Sequence, residues 1–228
     1  MSQAGANRRR WRRVRGTLFG TRSRLGDAVA AMAAVRLTPR FRGLRWLSVV
    51  ALLLFLVQLV TGVLLSLYYY PEPGAAYDST RFLMQDVDAG WLVRGMHHWS
   101  GDLLLGVVMA HAALAFLRRA FRPPREFEWM TGVLLAGLVT LFRFTGRLLP
   151  WDTLGRGATE AGLRVVESVP VLGRLGADWL RGGETLGSNT LSRFFTTHVL
   201  ILPWLLAVVL AVHLVLVVRH GLSGEDRP

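Results

Sequence analysis

The 228-residue chain has no cysteine. That excludes disulfides, thiolate-held iron–sulfur clusters and thioether attachment of a cofactor by this chain. It has no lysine either, so all 27 of its basic residues are arginines, against 15 acidic ones, for a formal net charge of +12. Charge as a whole is sparse, at 18% of residues against 52% hydrophobic, which argues against a water-soluble globular domain.

The apolar residues gather in four segments, roughly Leu44 to Tyr70, Trp91 to Leu117, Met130 to Leu149 and Phe194 to Val218. Each is long enough to cross a bilayer as a helix, which takes about 20 residues. In hydrocarbon every backbone polar group must bond internally, so helix is expected rather than strand. The predicted fold is an all-α membrane protein, a four-helix bundle spanning 44–219, with a basic segment at 1–43 before it and a short tail at 220–228.

Arginine placement sets the orientation. Residues 1–45 carry twelve arginines against Asp27 alone, and the second loop holds Arg118, Arg119, Arg122 and Arg125 against Glu126 and Glu128. The first loop is acidic, with Glu72, Asp78, Asp86 and Asp88 against Arg81. By the positive-inside rule both termini and the second loop are cytoplasmic, so the second and fourth spans run in the same direction, from outside to inside. "RRRWRR" invites a twin-arginine export signal or a nucleic-acid arm, but no apolar signal core follows closely. A basic segment ahead of a span suits topology and anionic lipid contact, and no nucleic-acid partner is expected. "TRSRLGDAVAAMAAVR" reads as a helix on the cytoplasmic membrane face. The connection from Pro150 to Arg193 balances five acidic residues with five arginines. Within it "GATEAGLRVVES" and "GRLGADWLRGG" predict two short outer-surface helices.

Histidines are placed where an unpartnered imidazole is costly. At about 100° and 1.5 Å per residue, His97 and His111 lie about 40° apart around the second span and about 21 Å apart along it. His198 and His213 repeat the arrangement on the fourth span, about 60° and about 22 Å apart. Because the two spans are parallel, His97 and His198 form an outer rung and His111 and His213 an inner one. His98 falls on the opposite face and belongs to neither. Two imidazoles facing across a bundle suit the axial positions of a heme iron, whereas two ligands per level are too few for structural zinc. A bulky macrocycle calls for close helix backbones, and small residues recur with a period of fourteen: Gly132 and Gly146 on the third span, Ser48 and Gly62 on the first.

Taken in order, "FLVQLVTG", "VRGMHHWSG" followed by His111, "REFEWMTGVLLAG", "TGRLLPWD", "SVPVLG" to "LRGG", and "RFFTTHVLILP" followed by His213 resemble the N-terminal half of cytochrome b from quinol-oxidising bc and bf complexes. The likeness runs from about Pro39 to Gly224, and the four-helix length is similar to the short, split form. This resemblance implies two noncovalent b-type hemes, with His97 and His198 on the outer, low-potential one and His111 and His213 on the inner, high-potential one. It implies that Gln58 and Arg94 lie near the outer heme, Trp129 near the inner heme's propionates, and Arg125 at a propionate or quinone site. The partners it implies are a Rieske-type iron–sulfur protein, a separate C-terminal cytochrome b subunit, a cytochrome c-type or other acceptor, membrane lipids and quinone, in a dimeric complex of a bacterial plasma membrane.

Departures from the family pattern accompany the matches. Trp46 stands where forms with an extra covalent heme carry cysteine, so that heme is not expected. Leu114 replaces a common basic residue, and "TLGRGATEAG" replaces an aromatic-rich helix that helps wall the quinol pocket. Asp102 and Arg143 have no place in the family pattern, and their similar depths predict an ion pair across the second and third spans. Two other functions fit the residues alone: the diheme anchor of a dehydrogenase or hydrogenase, and a heme-free transporter or assembly subunit using intramembrane His, Asp and Arg as a proton relay.

Overall fold

The computed structural model describes residues 42–223. The expected membrane-surface helix near the N-terminus lies outside the described residues. Eight α-helices follow: α1 (Arg42–Ser66), α2 (Ala76–Gln85), α3 (Gly90–Leu117), α4 (Glu126–Leu148), α5 (Thr153–Glu167), α6 (Gly173–Arg181), α7 (Ser188–Thr196) and α8 (Leu202–Ser223), with one π-helical turn at Thr197–Ile201 joining the last two. No strand occurs among the described residues.

Among the described residues four helical runs are long and apolar enough to cross a membrane: Gly43–Ser66, Gly90–Leu117, Glu126–Leu148 and Ser188–Arg219. Their outward faces remain apolar and exposed, as at Trp46, Leu53, Trp99, Leu103, Trp204 and Val208, the pattern of helices solvated by lipid rather than water. The chain is a multi-pass membrane protein.

Two boundaries differ from the sequence expectation. The first span ends at Ser66 instead of Tyr70, because Pro71 supplies no backbone N–H and disfavours helix at the residue before it. The fourth begins at Ser188 instead of Phe194, since the polar "SNTLSRFFT" turns bury Thr190, Leu191 and Phe194 against the bundle. Helix α2, within the acidic first loop, was not signalled by an apolar run. It is held by three small contacts at helical spacing, Ala76, Ser79 and Leu83. The two predicted loop helices are present as α5 and α6.

Helix α1 packs on α3, α3 on α4, and α4 on α8. A cluster of Leu104, Leu138, Val139, Leu202, Leu206 and Val209 fills the mid-bundle. These residues fall between the histidines on α3 and on α8, so an apolar layer separates the outer and inner depths. A second cluster, Ala76, Leu148, Leu191 and Phe194, ties α2 and α7 to the outer end of α4.

Above α4 the chain turns sharply, with Trp151 in the left-handed backbone region (φ 53°). The Asp152 carboxylate then caps α5 by accepting from the Gly155 N–H at 2.5 Å. Glu167 and Arg181 join α5 to α6, and Arg181 also bonds Asp178 at 3.1 Å. The hydrogen bond to Glu167 pushes the Arg181 guanidinium above its ordinary pKa, so this clamp keeps its charge.

Candidate heme-binding site

In the outer half, His97 on α3 and His198 in the π-helical turn face one another with ring centroids 6.3 Å apart and planes at 70°. With a metal–imidazole bond of about 2.0 Å and a ring nitrogen roughly 1.2 Å from the ring centre, imidazoles on opposite sides of one iron have centroids about 6.4 Å apart. The observed spacing therefore fits a shared axial pair. The π turn Thr197–Ile201 includes His198, as such bulges often occur at functional positions. In the inner half, His213 on α8 is close enough to His111 on α3 to interact electrostatically.

All four imidazoles are held by the same device, and it decides their tautomer. Thr61 donates its hydroxyl proton to the Val57 carbonyl at 2.6 Å, so its Oγ1 accepts from His97 Nδ1, 2.9 Å away. Thr145 donates to Leu141 and faces His198 Nδ1 at 3.0 Å. Thr131 donates to Phe127 and faces His213 Nδ1 at 2.9 Å. Ser48 donates to Leu44 and meets His111 Nδ1 at 3.5 Å, the loosest of the set. With the proton on Nδ1, each Nε2 keeps its lone pair for a metal. Among the described residues no group of three or more His, Asp or Glu is placed to hold a metal ion.

The expected small residues lie behind these rings. A Cβ added to Gly62 would stand 3.2 Å from His97 Cε1, one on Gly146 would stand 2.7 Å from His198 Cε1, and one on Gly132 would stand 3.4 Å from His213 Cε1. The glycines thus let α1 and α4 approach the imidazoles of their neighbours, and the period of fourteen is set by the two depths.

A cavity of about 410 Å³ opens at the outer depth, with Gln58, Gly62, Arg94, His97, Gly146 and His198 in its wall. Gln58 Nε2 donates to the His97 carbonyl and to Ser100 Oγ, both at 2.6 Å, fixing α1 to α3 beside the ligand. Arg94 Nη1 reaches Met84 Sδ on α2 at 3.7 Å. Tyr69, also on the cavity wall, donates to the Leu149 carbonyl at 2.6 Å. Burial pushes its phenol pKa upward, so it remains a donor.

At the inner end Trp129 packs against Phe116 and Phe121, with ring centroids 5.9 and 6.3 Å away. Arg125 precedes α4 and pairs with Glu128 at 3.7 Å. Leu114 sits 3.2 Å from where a Gly43 Cβ would lie, so the position lacking the family's basic residue serves helix packing. His98 turns its Nε2 toward Asp102 at 3.7 Å, and Asp102 pairs with Arg143 of α4, joining the two spans as their depths predicted.

Thr61, Thr131 and Thr145 were not anticipated as site residues. A signal was present: the dipeptide Thr-Gly occurs three times in the chain, and each occurrence places a hydroxyl and a bare backbone against one histidine.

A family model described as Cytochrome b/b6/petB matches residues 39–221. Cytochrome b6 of Synechococcus sp. (strain RCC307) is 37% identical over 206 residues, 90% of this chain and 94% of that protein. Cytochrome b6 of Prochlorococcus marinus (strain MIT 9303) is 40% identical over 175 residues, 77% of this chain and 80% of that one. Among solved structures, a chain of a "Hyperthermophilic respiratory Complex III" superposes with a TM-score of 0.70 at 28% identity, covering 76% of this chain and 47% of that one. The chain thus spans about half the length of that structural relative and 94% and 80% of these two cytochrome b6 relatives.

Proposed function

The chain belongs to the cytochrome b/b6 family, and from that membership and its two histidine rungs we propose that it is the diheme cytochrome b subunit of a quinol-oxidising bc-type complex. The observation that carries the proposal is the repeated hydroxyl–Nδ1 contact at His97, His111, His198 and His213, which leaves four Nε2 lone pairs at two depths. Two noncovalent b-type hemes bound there would supply one-electron transfer across the membrane, chemistry that no side chain of this chain has.

The protein's own residues position and insulate. His97 and His198 would hold the outer heme, His111 and His213 the inner one. Thr61, Thr145, Thr131 and Ser48 keep each ring in the ligating tautomer, and the leucine and valine layer between the rungs excludes water from the path. Arg94 and Gln58 line the outer site, Trp129 and Arg125 the inner end, where propionates need donors and cations. Oxidation of quinol at the outer surface would release two protons there, with one electron going to a Rieske-type iron–sulfur partner and the other entering this chain at the level of His97 and His198. The group held by His111 and His213 would supply electrons to quinone near the cytoplasmic face. A separate C-terminal cytochrome b subunit completes the quinol pocket, and a cytochrome c-type or other acceptor receives the iron–sulfur protein's electrons. The complex is a dimer in the bacterial plasma membrane, and both termini of this chain are cytoplasmic. The outer face carries Glu72, Asp78, Asp86 and Asp88 on and around α2, the cytoplasmic side the arginines of 118–125.

The test is purification of the intact complex from its native membrane, followed by addition of a reduced quinol analogue. Reduction of b-type heme by the analogue, with an iron–sulfur protein and a three-helix subunit co-purifying, is the expected result. Co-purification with a soluble dehydrogenase or hydrogenase instead would assign the chain as a membrane anchor, and a heme-free preparation would favour the relay class.

A further inference from the structure

Arg143 and Asp102 stand outside the ligand set, yet they lie beside it. Arg143 is one helical turn before Gly146 on α4, and its side chain lines the same cavity as His97 and His198. On its far side it bonds Asp102 of α3, which is not part of the cavity wall and whose other oxygen faces His98 Nε2 at 3.7 Å.

Holding two charges within a membrane span is costly, and an apolar pair packs helices at least as well. The side chains are 28% and 41% exposed, so the pair is not locked into a core that depends on it for shape. What distinguishes it is polarity, with the guanidinium on the cavity and the carboxylate behind. A dipole so directed stabilises whichever state of a nearby centre carries the extra electron, and in a medium of low dielectric that effect is large. It fades toward the inner rung, about 21 Å deeper.

Resting on the heme occupancy proposed above, we infer that the Arg143–Asp102 pair sets the potential of the outer heme: the guanidinium at the cavity wall raises the outer midpoint potential, the carboxylate behind it partly offsets that rise, and the inner midpoint is unchanged. Arg143 acts as a tuning residue and Asp102 as the opposing charge that limits its effect.

The experiment is an optical redox titration of the purified complex, following both hemes in wild type, Arg143→Gln, Arg143→Lys, Asp102→Asn and the double variant Arg143→Gln with Asp102→Asn. Arg143→Gln should lower the outer midpoint by about 59 mV, a tenfold change in a one-electron equilibrium constant. Asp102→Asn should raise it, Arg143→Lys should recover most of the wild-type value, and the double variant should fall between Arg143→Gln and wild type. The inner midpoint should stay fixed throughout. Shifts of the same sign in Arg143→Gln and Asp102→Asn, no shift in either, or equal shifts of both hemes would overturn the inference. Should Arg143→Gln lose the outer heme altogether, a raised outer midpoint in Asp102→Asn beside a near wild-type one in Arg143→Lys still supports the inference, and an unchanged or lowered midpoint in Asp102→Asn overturns it. A wild-type complex that titrates as two hemes while the variants fail this pattern refutes the tuning role alone. A wild-type complex without redox-active heme refutes the proposed function as well.

Discussion

Replacing Gly146 with alanine sets two effects against each other. In a helix interior, Gly→Ala is favourable by about 0.5–1 kcal/mol through backbone entropy. Here the new methyl would stand 2.7 Å from His198 Cε1, 3.2 Å from Nδ1 and 3.3 Å from Nε2, whereas carbon pairs are comfortable at about 3.5–4.0 Å. The imidazole is rigid and cannot fold aside, so it or α4 must retreat by most of an ångström. Overpacking of that kind costs about 1–3 kcal/mol, which exceeds the propensity gain. The movement also disrupts the 3.0 Å Thr145–Nδ1 contact and the 6.3 Å spacing to His97, so the loss should concentrate in the outer heme site. Gly132→Ala is the control, because its methyl would meet His213 Cε1 at 3.4 Å, an ordinary contact. Heme per polypeptide, measured by pyridine hemochrome with low-temperature spectra to separate the two centres, should fall toward one for Gly146→Ala, with the outer component missing. It should remain near two for Gly132→Ala, with Gly62→Ala between them. Full occupancy and an unchanged outer spectrum in Gly146→Ala, or greater loss in Gly132→Ala, would refute the reasoning.

Thr145→Val keeps the side chain's shape but removes the acceptor for His198 Nδ1; loss of such an outer-shell partner weakens metal binding about 10–100-fold. Transfer of the outer heme to an apo-acceptor should quicken within that range, while an unchanged rate would contradict the tautomer device. Gln58→Leu strips a donor from the His97 carbonyl and from Ser100 and should destabilise the bundle by about 1–3 kcal/mol, read as a lower Tm in detergent; a Tm equal to wild type would show that the tether is idle. His98→Ala should retain both hemes, because its Nε2 faces Asp102 rather than the cavity partner of His97, and disappearance of either heme would reverse that assignment.

Helix periodicity made the spans and the two rungs legible, because a histidine inside an apolar run has few harmless explanations and four at matched depths have fewer. The same arithmetic of depth brought Asp102 and Arg143 together before their contact was seen. Local polarity hid the rest. Helix α2 is short and carries Asp78 and Arg81, so its three buried residues look incidental in the sequence. The π turn at His198 is invisible to a count that assumes 100° per residue throughout. The threonines were overlooked for a different reason: a hydroxyl that satisfies its own helix at i−4 reads as ordinary, and only the facing imidazole reveals that its oxygen has a second use. Gly62, Gly132 and Gly146 read in the sequence as clearance for a macrocycle, and in the structure each clears the edge of a specific histidine ring.

The most direct measurement of the central claim is heme stoichiometry with resolved midpoint potentials in four single ligand variants, His97→Ala, His198→Ala, His111→Ala and His213→Ala. Two b-type hemes are expected in the wild-type protein, with the first two variants losing one and the same heme and the last two losing the other. Loss of different hemes within a rung, or retention of both hemes in any of the four, would contradict the account.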